Sequence, residues 1–147
     1  MIAVDTTLLV YAHRPEMARH ERARSVLTEL ASQTTLWALP WPCAHEFYAV
    51  VTNPRIFQTP AKPAEAFAFL DALAANDSLR FISEGTRHLE LLGSLAKAAD
   101  LAGGAIHDAR VAAICLSHGI TQLWSADRDF SRFPALKVVN PLIADKT

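Results

Sequence analysis

Residues 2–12 read IAVDTTLLVYA. The run Ile2–Val4 is short, apolar and β-prone, and Asp5 follows it directly. Strands that are covered on both faces of a sheet are apolar throughout, so this run predicts a buried first strand. The segment Leu8–Ala12 is also apolar, and its pattern leaves helix or strand open. The stretch therefore predicts a strand that has a carboxylate at its carboxyl end.

The remaining chain alternates between helical and strand patterns. Predicted helices cover 19–30, 41–53, 64–75, 86–99 and 106–118, and predicted strands cover 36–39, 79–82, 122–125 and 138–139. Gly119 is a natural C-terminal cap for the last helix. Strands separated by helices imply right-handed crossovers and a mostly parallel sheet with helices on both faces. We therefore expect an α/β fold, and the length of 147 residues fits one domain over 1–147.

Composition restricts the class of protein. No apolar run approaches the roughly 20 residues of a membrane-spanning helix, and residues 1–5 lack the pattern of a signal peptide, so we expect a cytoplasmic protein without a membrane partner. A reducing cytosol keeps Cys43 and Cys115 as buried thiols. The net charge is -1, so any contact with a nucleic acid must be local or carried by metal ions.

Two aspartates are predicted at one edge of the sheet. Asp5 ends the first strand, and Asp127 follows the strand 122–125. Ligands of such sheets bind outside the carboxyl ends of the strands, where adjacent crossovers leave on opposite sides. Each acid taken alone also fits a turn or a helix cap. Together they indicate a site at this edge.

Two further acids lie in predicted helices. Asp108 shares a helical face with Ala112 and Cys115, which indicates that it points inward. No Lys or Arg is obvious on that face, so a metal ion would supply the missing positive charge. Glu46 shares a face with Ala49 and Val50, which predicts a largely apolar environment for it as well.

Four carboxylates make an oxygen-rich site that suits Mg²⁺, with Mn²⁺ as an alternative. The six histidines show neither a His-Glu-x-x-His pattern nor pairing with cysteine, which argues against zinc. His45 and His107 each precede one of the acids. They are either supporting donors to the site or residues of the surface or core.

Three blocks of the sequence resemble those of PIN-domain proteins, and more narrowly the VapC toxins of bacterial toxin–antitoxin pairs. They are VDTTLLVYA at 4–12, HDARVAA at 107–113 and SADRDF at 125–130. Glu46 falls between the first two blocks, as the second acid of the family does. The resemblance spans essentially the whole chain and implies a PIN-like three-layer α/β/α fold.

The resemblance also implies a metal-binding and catalytic quartet of Asp5, Glu46, Asp108 and Asp127, with Thr6, Ser125 and Asp129 in support. Thr7 is a departure, because many family members carry Asn there. The implied activity is an Mg²⁺-dependent endoribonuclease, the toxin component of a type II pair. The implied partners are an RNA substrate, a cognate VapB-type antitoxin and a second copy of the chain.

Two rival functions and two finer expectations accompany this interpretation. A haloacid-dehalogenase-like phosphatase needs a second Asp where Thr7 stands, and a catalytically silent domain would bind RNA or antitoxin without cleavage.

The low net charge favours cleavage at a few loops of a structured RNA, such as transfer or ribosomal RNA, whose backbone Arg14, Arg110 and Arg128 would contact. The helices 19–30 and 64–75 either offer apolar surface to an antitoxin helix or a second subunit, or simply pack in the core.

Overall fold

A computed structural model of the chain describes residues 1–143. Its strands are β1 Ile2–Val4, β2 Trp37–Pro40, β3 Leu79–Ile82, β4 Gln122–Trp124 and β5 Lys137–Val139. Its helices are α1 Thr6–His13, α2 His20–Ser32, α3 Trp41–Val51, α4 Pro63–Ala74, α5 His88–Ala98 and α6 Ile106–Ser117, with 3₁₀ turns at Gly103–Ala105 and Arg128–Arg132. The α/β class and the alternation of strands and helices are as the sequence predicts.

The five strands form one parallel sheet in the order β3-β2-β1-β4-β5. The chain winds outward from β1 through β2 to β3 and then crosses back to β4 on the other side of β1. With right-handed crossovers, α1 to α4 cover one face and α5 and α6 cover the other, which makes three layers. The reversal of direction between β1 and β4 is the switch point at which such sheets bind ligands.

Local chemistry accounts for the element ends. The segment Leu8–Ala12, whose type the sequence leaves open, is helical and belongs to α1. Pro42 lies in the first turn of α3, where its missing N–H costs no hydrogen bond. After α6 the chain turns at Gly119, whose φ of 70° lies in the left-handed region that glycine adopts without a steric penalty.

The core consists of aromatic and aliphatic side chains from the sheet and both helical layers. Trp37 and Phe47 are fully buried, and the indole N–H of Trp37 donates to Ser78 Oγ at 2.9 Å. Cys43 and Cys115 are free, buried thiols, as predicted.

Within the described part of the chain, no helix is both long and apolar enough to cross a membrane. One domain over 1–147 stays a prediction, because residues 144–147 lie outside the described residues.

Candidate metal centre

Asp5 lies at the carboxyl end of β1, where its backbone N–H donates to the Trp124 carbonyl of β4 at 3.0 Å. The residue is only 4% exposed. Its carboxylate accepts hydrogen bonds from Ser125 Oγ at 2.7 Å and from the Cys43 thiol at 3.5 Å. Burial raises the pKa of Asp5 despite these donors. The buried charge therefore has donors but no cationic side chain among its hydrogen-bond partners in residues 1–143.

Two hydroxyl groups join the end of β1 to the loop after β4. Ser125 Oγ donates to Asp5 and accepts from the backbone N–H of Asp127 at 2.9 Å. Thr7 Oγ1 accepts from the backbone N–H of Ala126 at 2.9 Å and lies 3.4 Å from Asp5 Oδ2. The Thr7 hydroxyl thus fixes the loop that carries Asp127.

Three further carboxylates converge beside this network. One oxygen each of Asp108, Asp127 and Asp129 lies within 4.8 Å of the others. Asp127 Oδ1 accepts from the backbone N–H of Asp129 at 2.9 Å and caps the turn that follows. Asp108 lies in the first turn of α6 and is partly buried. Burial, followed by the charge of Asp127, raises the pKa of Asp108.

Arg132 is the residue of this site that sequence reasoning did not assign to it. Its Nη2 atom lies 3.5 Å from Asp108 and 3.2 Å from Asp129, so the cluster already has one cation. Asp108 therefore has a cationic partner from another segment, although its own helical face carries none, as the sequence indicated. The spacing of Asp129 and Arg132, three residues apart, was a signal for their pairing, but nothing local connected Arg132 to Asp108 across the fold.

Glu46 lies on α3 beside the other acids. Thr6 Oγ1 donates to Glu46 Oε2 at 3.2 Å, which ties α3 to the start of α1. Burial, followed by the charge of Asp5, raises the pKa of Glu46. The residue as a whole is exposed although its carboxylate is partly buried, so Glu46 lies at a rim and not in the largely apolar environment that the helical pattern predicted. Glu46 faces solvent at the rim of the acid site.

The donor set fits a hard divalent cation. Asp108, Asp127 and Asp129 offer converging carboxylate oxygens. Ser125 joins Asp5 to the backbone of Asp127, and Glu46 lines the same groove as Asp108. The charges of neighbouring acids contribute to the raised pKa of Asp108 and Glu46, which means that the ionised cluster repels itself. A divalent ion relieves this repulsion and takes oxygen ligands, as Mg²⁺ does. The role of each acid as a ligand stays a prediction.

A groove runs along the outer side of the acids. It is lined by Pro42, His45, Glu46, Gly104, His107, Asp108, Arg110 and Val111. Both histidines are exposed, so neither belongs to the core. The groove places two imidazole rings and two carboxylates on one surface.

The three arginines that were expected to contact RNA differ in whether their guanidinium groups are exposed or already paired within the fold. Arg14 is buried, donates to the Thr59 carbonyl at 2.7 Å and packs over the ring of Phe57. This corrects the expectation that Arg14 is free for phosphate, because its guanidinium is used inside the fold. Arg110 is paired with Glu84, and Arg128 is exposed.

The chain is similar in sequence to a known family and to its curated members. Residues 2–136 match the family model of the PIN domain. Ribonuclease VapC43 of Mycobacterium tuberculosis is 39% identical over 142 residues, which are 97% of this chain and 96% of that protein.

Two solved structures share the fold. VapC20 of Mycobacterium tuberculosis, described as a toxin that cleaves the sarcin-ricin loop, has a TM-score of 0.67 and 21% identity over 89% of this chain and 93% of its own. VapBC2 of Rickettsia felis, bound to a DNA fragment from its promoter, has a TM-score of 0.70 and 19% identity over 95% of this chain and 98% of its own.

Proposed function

The chain belongs to the PIN-domain family, among the VapC ribonucleases, and on that premise we propose that it is an Mg²⁺-dependent endoribonuclease toxin. We propose further that it cleaves a structured RNA at a few sites and is paired with an antitoxin in the cytoplasm. The single observation that supports the catalytic part is the convergence of Asp108, Asp127 and Asp129 beside Asp5 at the switch point of the sheet.

Asp5, Asp108 and Asp127 would hold a divalent cation, which when bound would supply Lewis-acid stabilisation of charge on the phosphate and activation of water. Mn²⁺ suits the same oxygen ligands. The chain's own residues hold this arrangement: Ser125 orients Asp5, and Thr7 fixes the loop of Asp127. With a cation bound, the local negative charge of the acids would be reversed, so that a polyanion could approach them.

We propose that Glu46 acts on water in addition to any role as a ligand. Its carboxylate is held by the Thr6 hydroxyl at the rim of the site, and its raised pKa moves it toward the range of a general base. Orientation of a water molecule is the alternative role. Asp129 lies at the more exposed side of the cluster and is a helper in this scheme.

The proposed substrate is a loop of a structured RNA, such as transfer or ribosomal RNA. The net charge of -1 gives weak general attraction for phosphate, which leaves recognition to shape and to exposed bases. The fold relative VapC20 is described as cleaving the sarcin-ricin loop, which supports this class of substrate without naming the RNA of this chain.

The proposed partners are a VapB-type antitoxin and a second copy of the chain. The apolar side of α2 packs in the core, the second of the two alternatives for this helix, because Ala23, Val26 and Leu27 are buried. On α4 only Ala66 is buried, and Phe67 is 54% exposed. A groove between these helices is lined by Ala12, His13, Pro15, His20, Arg24, Leu27, Thr28, Ala31, Phe69, Ala72, Leu73 and Asn76. Such a groove suits an amphipathic helix.

The test of the function is cleavage of RNA by the purified protein in Mg²⁺, with EDTA as the control. Sequencing of the new RNA ends should show enrichment at a few loops. Absence of cleavage in both Mg²⁺ and Mn²⁺ would leave the silent-domain alternative, whereas RNA ends scattered over all transcripts would contradict the selective substrate.

Light scattering of the chain, alone and with the product of the adjacent reading frame, tests the proposed dimer and the proposed antitoxin complex. The phosphatase alternative finds no support in the family match.

A further inference from the structure

Trp41 combines exposure with a fixed position. It follows β2 directly as the first residue of α3. Its indole stacks on the ring of Phe81, with centroids 4.3 Å apart and planes 22° apart, yet the residue is 44% exposed. The other two tryptophans differ, since Trp37 is fully buried and Trp124 is half-buried. Packing on Phe81 therefore holds an aromatic surface open to solvent.

This surface lies next to the acid site. In the sheet β2 is hydrogen-bonded to β1, so Trp41 leaves the same edge at which Asp5 lies. One turn along α3, the ring of His45 lies 6.2 Å from that of Trp41. His45 also lines the groove that contains Glu46 and Asp108. Trp41 is thus adjacent to two residues that line the groove, Pro42 next to it in the chain and His45 one turn along α3.

We propose that Trp41 is a stacking platform for an unpaired base of the RNA substrate, beside the phosphodiester at the acid site. This inference rests on the proposed ribonuclease function and adds a base-binding subsite to it. Stacking on an aromatic ring accepts any base, because every base has a π face. A chain with a net charge of -1 gains little affinity from phosphates, so a contact that is not electrostatic contributes a large share.

Two substitutions separate stacking from packing. Trp41→Phe keeps an aromatic face, whereas Trp41→Leu keeps apolar bulk against Phe81 and removes the π surface. Leu89→Ala, at an apolar residue of α5 that is 84% exposed, is the control for loss of exposed apolar surface. All are made in full-length Asp108→Asn protein so that RNA is not consumed. The probe is a fluorescein-labelled, single-stranded 12-nucleotide RNA of mixed sequence, in Mg²⁺.

We expect Trp41→Leu to weaken binding of this RNA by about 5- to 100-fold, the range that loss of one base–aromatic stack gives. Trp41→Phe should retain most of the affinity, and Leu89→Ala should match the parent. Single-stranded RNA should also quench tryptophan fluorescence in the parent, whereas a duplex of the same composition should not, because its bases are paired. Trp41→Phe should lose this quenching while it still binds.

Unchanged RNA affinity in Trp41→Leu overturns the proposal, and so does equal quenching by the duplex. A change of oligomeric state in Trp41→Leu with RNA affinity intact assigns Trp41 to a protein contact instead. If Trp41→Leu does not fold, quenching and the Trp41→Phe variant still decide. Cleavage by the unmodified protein is a separate readout, so failure of the ribonuclease function is distinguishable from failure of this subsite.

Discussion

The guanidinium atom Nη2 of Arg132 lies 3.5 Å from Oδ2 of Asp108, and the same atom lies 3.2 Å from Asp129. A side chain from the turn after β4 therefore neutralises part of the acid cluster from within the chain. Arg132 lowers the pKa of Asp108 against the opposing effects of burial and of Asp127. A divalent cation and this guanidinium compete for the same oxygens.

Replacement of Arg132 by Gln should tighten Mn²⁺ binding. The expected gain is about two- to fivefold, which corresponds to ~0.5–1 kcal/mol for a partly exposed ion pair. Isothermal titration calorimetry measures it. Arg87→Gln, which removes the exposed pair with Glu90, is the control and should leave the affinity unchanged. Weaker Mn²⁺ binding in Arg132→Gln would mean that the guanidinium supports the site rather than competing for it.

Replacement of Asp108 by Asn should abolish RNA cleavage and preserve the fold. The change removes a ligand charge at nearly constant shape, and we expect a loss of at least about 100-fold in cleavage rate. Without metal, the melting temperature should not fall, because repulsion within the cluster is relieved. Asp71→Asn, on the exposed side of α4, is the matched control. Near-normal cleavage by Asp108→Asn in Mg²⁺ would refute the catalytic assignment.

Replacement of Thr7 by Val should destabilise the protein by about 1–2 kcal/mol, since the N–H of Ala126 loses its acceptor. Thr7→Asn keeps an acceptor and should cost less. Thr28→Val, at an exposed threonine of α2, is the control. Urea unfolding compares the four proteins. Equal losses in Thr7→Val and Thr28→Val would show that the hydroxyl does not hold the loop of Asp127.

The stability of the metal-free protein should respond to pH through its carboxylates. The pKa values of Asp5, Glu46 and Asp108 are raised above the ordinary values of 3.8 for Asp and 4.5 for Glu. Between its unfolded and folded pKa, each group is more protonated in the folded state. The contribution to stability therefore falls as pH rises through this window.

Thermal unfolding in EDTA, compared between the wild type and Asp108→Asn, isolates the contribution of one group. The variant's advantage in melting temperature should grow as pH rises from about 4 toward 7. Mg²⁺ at about 100 times its dissociation constant should stabilise the wild type by ~2.7 kcal/mol and remove that advantage. An advantage that is constant over this pH range would contradict the raised pKa of Asp108.

Much of the fold could be predicted from the sequence because the patterns that indicate strands and helices involve residues that are close together in the chain. Strand β3 lies at the residues that its apolar pattern predicted, and the buried side of α2 follows the helical spacing of its apolar residues. Leu8–Ala12 could not be assigned, since a short buried helix and a buried strand are both apolar throughout. In the structure this segment is a helix that packs against α2 and α3, and periodicity alone does not indicate this packing.

The sequence by itself determined the class of the fold, the edge at which Asp5 and Asp127 meet, and the membership in a family of nucleases. These follow from the order of strands and from motifs of adjacent residues. Only the tertiary structure decided that Glu46 is exposed at the rim and that Arg132 reaches Asp108. It also decided that Arg14 is buried in the fold and that Trp41 stacks on Phe81 beside the groove. Each of these depends on which residues from distant segments pack together, and hydrophobic pattern along one segment carries no such information.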